Sequence, residues 1–403
     1  MATSSQIKRL YARLSKVGFS RAFIREHVIP AEFRVDDNRI DYDQFLSFLS
    51  RHLNITAESL ADPNSSLVFD STRTRFFRGP DLTEEIDVGL RIAEGLARVA
   101  LTGMASRKVG TVPSAQAVRR SILSMGEAWV GFRNLMQYCW DSGIPVLHAT
   151  NLPPKARKLG GVAAEIDGYP AIILCQQYRY LARHLPRLAH ELGHLSGQHL
   201  SFIGFHSSTE AEMHFNDRTE GEAHRYAFDL LTGGQSIPAD EFRYRSIDAL
   251  VEATYVRSNT YKIDPGYLIV NRARFTQDWR EANIALGIIE GHVNAVELIN
   301  SEAQKHIQWN KVSAASRYFF QSITRTDEPL QGSTSDGEHD QLISKPTTLS
   351  PTLALFEAWA KEDATNDPDE LKIRQKEGDD LEVVLRQSRL SLRRVEVANG
   401  EVK

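Results

Sequence analysis

The chain has 403 residues, 41% of them hydrophobic, and a formal net charge of −4 in which 48 Lys and Arg nearly balance 52 Asp and Glu. This length supports a sizeable core and two or three compact units, and the even mixture of charge excludes a general nucleic-acid-binding surface while leaving room for a local basic patch. Two cysteines, Cys139 and Cys175, are too few for a disulfide scaffold and fit a reducing compartment. The opening MATSSQIKRLYARLSKVGFS has no signal-peptide core, and no run approaches the ~18–20 apolar residues of a membrane span. The expected location is therefore the cytoplasm, with no membrane partner.

Residues 1–66 read as a helical N-terminal region. IKRLYARL, RAFIREHVI and YDQFLSFLSRHL place apolar residues at three- and four-residue intervals, punctuated by Pro30, the turn at Asp36-Asp37-Asn38 and PNSS at 63–66. Such a region is either a helix-turn-helix-like unit that contacts DNA or an extension packed on the core. The main domain spans 67–325. Helical periodicity runs through 81–105 and 114–143, IPVLHAT at 144–150 changes to a short β-branched run, and GGVAAEIDGYPAIILC at 160–175 reads as two strands joined by a turn at Asp167-Gly168.

A helix follows that strand pair at once. A strand beside it with a free edge at 170–175 would pair main chain to main chain with an extended peptide, whereas an ordinary α+β core would carry no substrate there. Residues 240–325 return to helix, most clearly over 278–309. The polar stretch 326–352, rich in Gly, Ser, Thr and Pro, reads as a flexible linker. Residues 353–403 read as two amphipathic helices that dock on the body, a partner or a second copy.

The chemistry concentrates in LAHELGHL at 188–195, which holds His190, Glu191 and His194 in HExxH spacing. On a helix, positions i and i+4 share a face, so two imidazoles converge on one metal while the glutamate flanks it. Zn2+ suits this pair and needs a third protein donor, leaving one position for water. Pro186 suits a first helical turn, so the helix is expected from about Pro186 to Gly197, with Leu188, Leu192 and Leu195 on its buried side. Glu191 is the candidate general base.

The third donor is expected in RTEGEAHRYAFDLL at 218–231, as Glu220 or Glu222. Glu220 is preferred because it shares a helix face with Ala223, Ala227 and Leu231, whereas Glu222 lines up with Tyr226 and Asp229. His224, one turn beyond Glu220, is a candidate for orienting a ligand from behind, for an extra ligand or for a surface residue. His199, His206 and His214 read as surface or loop histidines. Cys175 reads as a core residue, with a thiolate switch on the metal as the sharper alternative.

LAHELGHL together with EGEAHRYAFDLL resembles the ImmA/IrrE family of zinc metallopeptidases, which pairs HELGH with a downstream helix of the form ExxANxFAxxLL. The likeness also takes in GIPVLHAT and DGYPAIILCQQYRYLARHLPRLAHELGHL, and it covers about residues 130–235. It implies a gluzincin-like α+β domain with helical N- and C-terminal extensions, zinc on His190, His194 and Glu220, and Glu191 as base. It further implies cleavage of a helix-turn-helix transcriptional repressor in a stress, mobile-element or phage-defence response, held quiet until a stress signal arrives; DNA is a candidate for that signal. The chain departs from the family where His224 replaces Asn or Asp and where LLTGG replaces Leu-Leu-Met-Pro. A non-cleaving protein that binds DNA, an antitoxin or a toxin on the same scaffold is the competing reading, and a zinc hydrolase of a non-peptide amide is a third. The intact glutamate of the motif favours hydrolysis.

Overall fold

The computed structural model describes residues 4–325 apart from 31–32, 34–41, 71–73, 77–83, 106–110, 154–155, 157–158, 200, 203–209 and 236–243. The expected linker at 326–352, the helical tail at 353–403 and the turn at 36–38 lie outside the described residues. Among the described residues no helix is long and apolar enough to cross a membrane.

The N-terminal elements are α1 (Ser4–Lys16), α2 (Arg21–Phe23) running into a π turn at Ile24–Val28, α3 (Tyr42–Leu53) and α4 (Ala57–Ala61). Then come β1 (Thr74–Phe76), α5 (Glu84–Gly103), α6 (Ala115–Ser124), α7 (Phe132–Asp141), β2 (Val146–His148), β3 (Gly161–Ile166), β4 (Tyr169–Leu174), α8 (Leu181–Ser196), β5 (Ser201–Phe202) and α9 (Glu210–Thr232). Five more helices complete the described chain: α10 (Ile247–Tyr261), α11 (Pro265–Thr276), α12 (Trp279–Glu290), α13 (Ala295–His306) and α14 (Ala314–Thr324). The class is α+β, mostly helical around one small mixed sheet. Glycines cut the long helical patterns. Gly126 (φ 91°) follows the end of α6 and extended Gly131 caps the start of α7, while Gly291 (φ 68°) separates α12 from α13; the positive φ at Gly126 and Gly291 is a backbone conformation that ends a helix.

The sheet runs β2-β4-β3-β1-β5. β3 and β4 form the expected hairpin, in register from Gly161↔Leu174 to Ile166↔Tyr169, and Asp167 (φ 53°) and Gly168 (φ 83°) make the two-residue turn that right-twisted strands favour. β2 pairs in parallel with the far side of β4. The expected free edge at 170–175 is therefore corrected: β4 is an interior strand, flanked on both sides. Its continuous buried run Pro170–Leu174 is the pattern of a strand covered on both faces rather than of an edge.

The N-terminal helices share one core with the rest of the chain, Leu14, Ile24, Phe45 and Leu49 belonging to the same buried cluster as Leu96 and Phe319. Two contacts weld them on. Gly95 of α5 meets the main chain of α3 so closely that a Cβ would lie 2.0 Å from the His52 carbonyl oxygen. His52 itself stacks on Phe319 at 4.7 Å between ring centres and reaches Ser316 Oγ at 3.2 Å.

Beside that contact the fully buried Glu94 accepts from Asn54 Nδ2 (2.7 Å), Thr74 Oγ1 (2.5 Å) and Arg98 Nη2 (2.7 Å), with Arg91 Nη1 3.4 Å away. One carboxylate thus joins the end of α3, the first strand and α5. Glu94→Ala would remove the buried carboxylate shared by two arginines, an amide and a hydroxyl, at a cost of about 3–5 kcal/mol, read as a lowered thermal midpoint.

Burial lowers the imidazoles of His52 to about 3, His148 to about 4 and His184 to about 3, from an ordinary value of 6.5. Below pH 6.5 the unfolded chain therefore binds protons at these sites that the folded chain refuses, so their contribution to stability is present above 6.5 and drains as pH falls toward 4 and 3. Asp264 and Glu290, pushed up to about 6 and about 7 by burial, act in the opposite sense, but the buried imidazoles outnumber them. The thermal midpoint is expected to be lower at pH 5 than at pH 7.5; equal midpoints would contradict this account.

Candidate metal centre

Helix α8 carries the motif on a leucine stripe, with Leu181, Leu185, Leu188, Leu192 and Leu195 all buried. Its start differs from expectation: it begins at Leu181, and Pro186 sits inside it. The reason is a remote cap. The Leu181 and Ala182 amides donate to Glu290 Oε2 and Oε1 at 2.7 and 2.8 Å, so the last residue of α12 satisfies the first turn of α8.

Helix α9 crosses α8 at Gly193, the glycine of HELGH. A Cβ there would stand 3.0 Å from Ala223 Cα, 3.0 Å from Ala223 O and 3.1 Å from Tyr226 Cβ. The absence of a side chain at 193 and the small one at Ala223, itself fully buried, let the two backbones meet. The LLTGG ending of α9 has a structural account as well. Gly233 (φ 69°) closes the helix with its amide on Asp229 O (2.9 Å), and buried Arg119 of α6 donates to the Leu230 and Leu231 carbonyls at 3.1 and 3.0 Å.

This crossing brings three donors together. His190 Nε2 and His194 Nε2 are 2.9 Å apart, and Glu220 Oε2 lies 3.3 Å from the first and 3.9 Å from the second. A tetrahedral ion about 2.0–2.1 Å from each donor would space them about 3.3–3.4 Å apart, so the set fits a single ion of that size. Burial lowers both imidazoles well below their ordinary value, with the neighbouring His224 and Arg187 adding to the effect at His190. Both are therefore neutral, the form that binds a metal.

His224 belongs to the same cluster. One ligand atom from each of His190, Glu220 and His224 lies within 4.8 Å of the others, and the His224 ring centre is 4.4 Å from that of His190. Its Nδ1–H donates to the Glu220 carbonyl oxygen at 2.8 Å, which leaves Nε2 as the ring nitrogen outside that bond.

Glu191 is buried between α8 and the start of β3. Its Oε1 lies 3.7 Å from Arg187 Nη1, and a Cβ on Gly161 would be 2.8 Å from that same oxygen. Gly160 likewise leaves room for the Arg187 guanidinium. The Gly160-Gly161 pair thus clears the space in which the carboxylate and its arginine lie. Cys175 is buried close by, and desolvation followed by the Glu191 charge pushes its thiol up. Its burial is that of a core group.

Glu222 does not join the donors; its carboxylate meets His199 Nε2 at 2.9 Å. His199, expected as a surface or loop residue, is instead buried against His194, because the chain turns back under α8 through left-handed Gln198. His206 and the side chain of His214 lie outside the described residues. Sequence reasoning missed Arg187, Gly161 and His199 as parts of the site. The first two act through contacts between α8 and β3, and only the glycine beside His199 hinted at a close turn. No family model, no curated protein and no solved structure matches this chain.

Gly193→Val would drive α9 away from α8, at a cost of about 1–3 kcal/mol or more from overpacking. It is expected to lower the thermal midpoint and to reduce bound zinc, measured by elemental analysis after dialysis. Gly221→Ala, on the exposed side of α9 where a Cβ meets nothing within 4 Å, is the control and should leave both unchanged or raise stability by up to about 1 kcal/mol.

Proposed function

We propose that the chain is a zinc-dependent endopeptidase of gluzincin-like architecture whose substrate is a helix-turn-helix repressor, as the likeness of its two motif helices to ImmA/IrrE peptidases implies. The observation that carries this reading is the placement of buried Glu191 on the same helix as two neutral imidazoles whose Nε2 atoms converge with Glu220 of α9. His190, His194 and Glu220 would hold the ion. Bound there, zinc supplies a Lewis acid for a carbonyl oxygen and lowers the pKa of a water.

Glu191 then takes the proton of the attacking water and passes it to the leaving amide nitrogen. Arg187 and the bare backbone at Gly161 hold its carboxylate in one place, which favours a single line of proton transfer. β3 is interior as well, flanked by β4 along its length and by β1 over Ala164–Ile166, so among the described residues a peptide laid beside the sheet could reach only Gly161–Ala163, whose first residue borders Glu191. His224 stands at the same cluster with Nδ1 committed to the Glu220 carbonyl oxygen, where the family carries Asn or Asp.

The test is to mix the zinc-loaded full chain with the repressor encoded beside it, with and without single-stranded DNA. The expected result is one new N-terminus in the repressor, lost on chelation and restored by zinc. Glu191→Gln should slow it about 100- to 10,000-fold while keeping its zinc. Cleavage that survives Glu191→Gln would sink the mechanism. Tight binding of an uncut partner, indifferent to zinc removal, would replace it with the scaffold reading.

A further inference from the structure

Behind His194 lies a second row of polar groups that the HExxH pattern does not include. His194 Nδ1 is 3.2 Å from His199 Nδ1, and His199 Nε2 is 2.9 Å from Glu222 Oε2. An ion held by His194 Nε2 requires the ring proton of His194 on Nδ1, so His194 Nδ1–H donates to His199 Nδ1, and His199 Nε2–H donates to Glu222.

The local fold is built around this row. The chain leaves α8 with Gly197 N on Gly193 O (2.9 Å) and His199 N on His194 O (3.1 Å), and it passes through left-handed Gln198 (φ 54°). The His199 ring then lies over Gly197, where a Cβ would be 2.1 Å from Nε2. Glu222 reaches the ring from α9, and its other oxygen is 3.4 Å from Arg218 Nε. The two imidazoles of the motif are unequal in this respect, for His190 Nδ1 is buried with no hydrogen-bond partner among the described residues. His194 alone is clamped from behind.

We propose that His199 and Glu222 are positioning residues that lock the tautomer and ring angle of His194 and thereby set the affinity of the centre for its metal. A carboxylate usually holds a ligating histidine directly; here a second histidine is interposed, which extends the reach of Glu222 from α9 to the far nitrogen of His194. The inference rests on the metal-centre reading above.

The experiment measures zinc affinity of the full chain by competition with a chromophoric chelator, and melting of the chelator-treated proteins. His199→Phe keeps a ring but no acceptor, and it is expected to raise the zinc Kd about 10- to 100-fold. His199→Asn, whose Oδ1 can stand in for Nδ1, should recover most of that loss. Glu222→Ala, at a half-exposed position that spares the fold, should weaken zinc about tenfold. His199→Phe combined with Glu222→Ala should be no weaker than His199→Phe alone, since both act through one row; a merely structural role would give additive losses and no rescue by Asn. If His199→Phe melts below the wild type, Glu222→Ala decides. A wild-type chain that holds no stoichiometric zinc overturns both readings. A wild type that binds zinc, loses it in His190→Ala and keeps its Kd in Glu222→Ala and His199→Phe overturns this one alone.

Discussion

Helices α8 and α9 touch at Gly193 and Ala223 with no side chain between their backbones, and the candidate metal centre depends on that contact. Helix α8 places His190 and His194 one turn apart; α9 has to deliver Glu220 to within a few ångströms of both. Side chains of ordinary size would hold two helices about 8–10 Å apart, and a glutamate must then reach across that gap. With the gap closed, Glu220 Oε2 stands 3.3 Å from His190 Nε2, and the same approach sets Glu222 beside His199. Donors and their support thus come from one crossing.

The sheet supplies what the crossing cannot. Glu191 lies against the first residue of β3, where two consecutive glycines admit its carboxylate and the Arg187 guanidinium. β3 is held in register by its hairpin with β4 and by β1, and β1 is tied through Thr74 to the buried Glu94. The N-terminal helices are bound to that same carboxylate through Asn54. They therefore belong to the scaffold that steadies the candidate base rather than standing apart as a separate module.

Much of this was legible in local pattern. The Asp167-Gly168 hairpin follows from two residues that tolerate positive φ between β-branched runs, and the choice of Glu220 over Glu222 follows from a face shared with Ala223 and Ala227. What escaped were pairings between segments distant in the chain. Helix α8 starts a turn and a half before Pro186 because Glu290, over a hundred residues on, caps it. β4 is interior because β2 takes its outer side, and nothing in the run PAIIL distinguishes an edge from a centre.

The sequence by itself determined the identity and spacing of the donors, since the i, i+4 geometry of any α-helix puts His190 and His194 on one face and Glu191 beside them. Only the tertiary structure decided that β4 is interior, that His199 is buried behind His194 and that the glycines at 160, 161 and 193 are clearances for contacts. The reason is physical: helical periodicity acts over a few residues and can be read along the chain, whereas a close approach of two backbones depends on how distant segments pack.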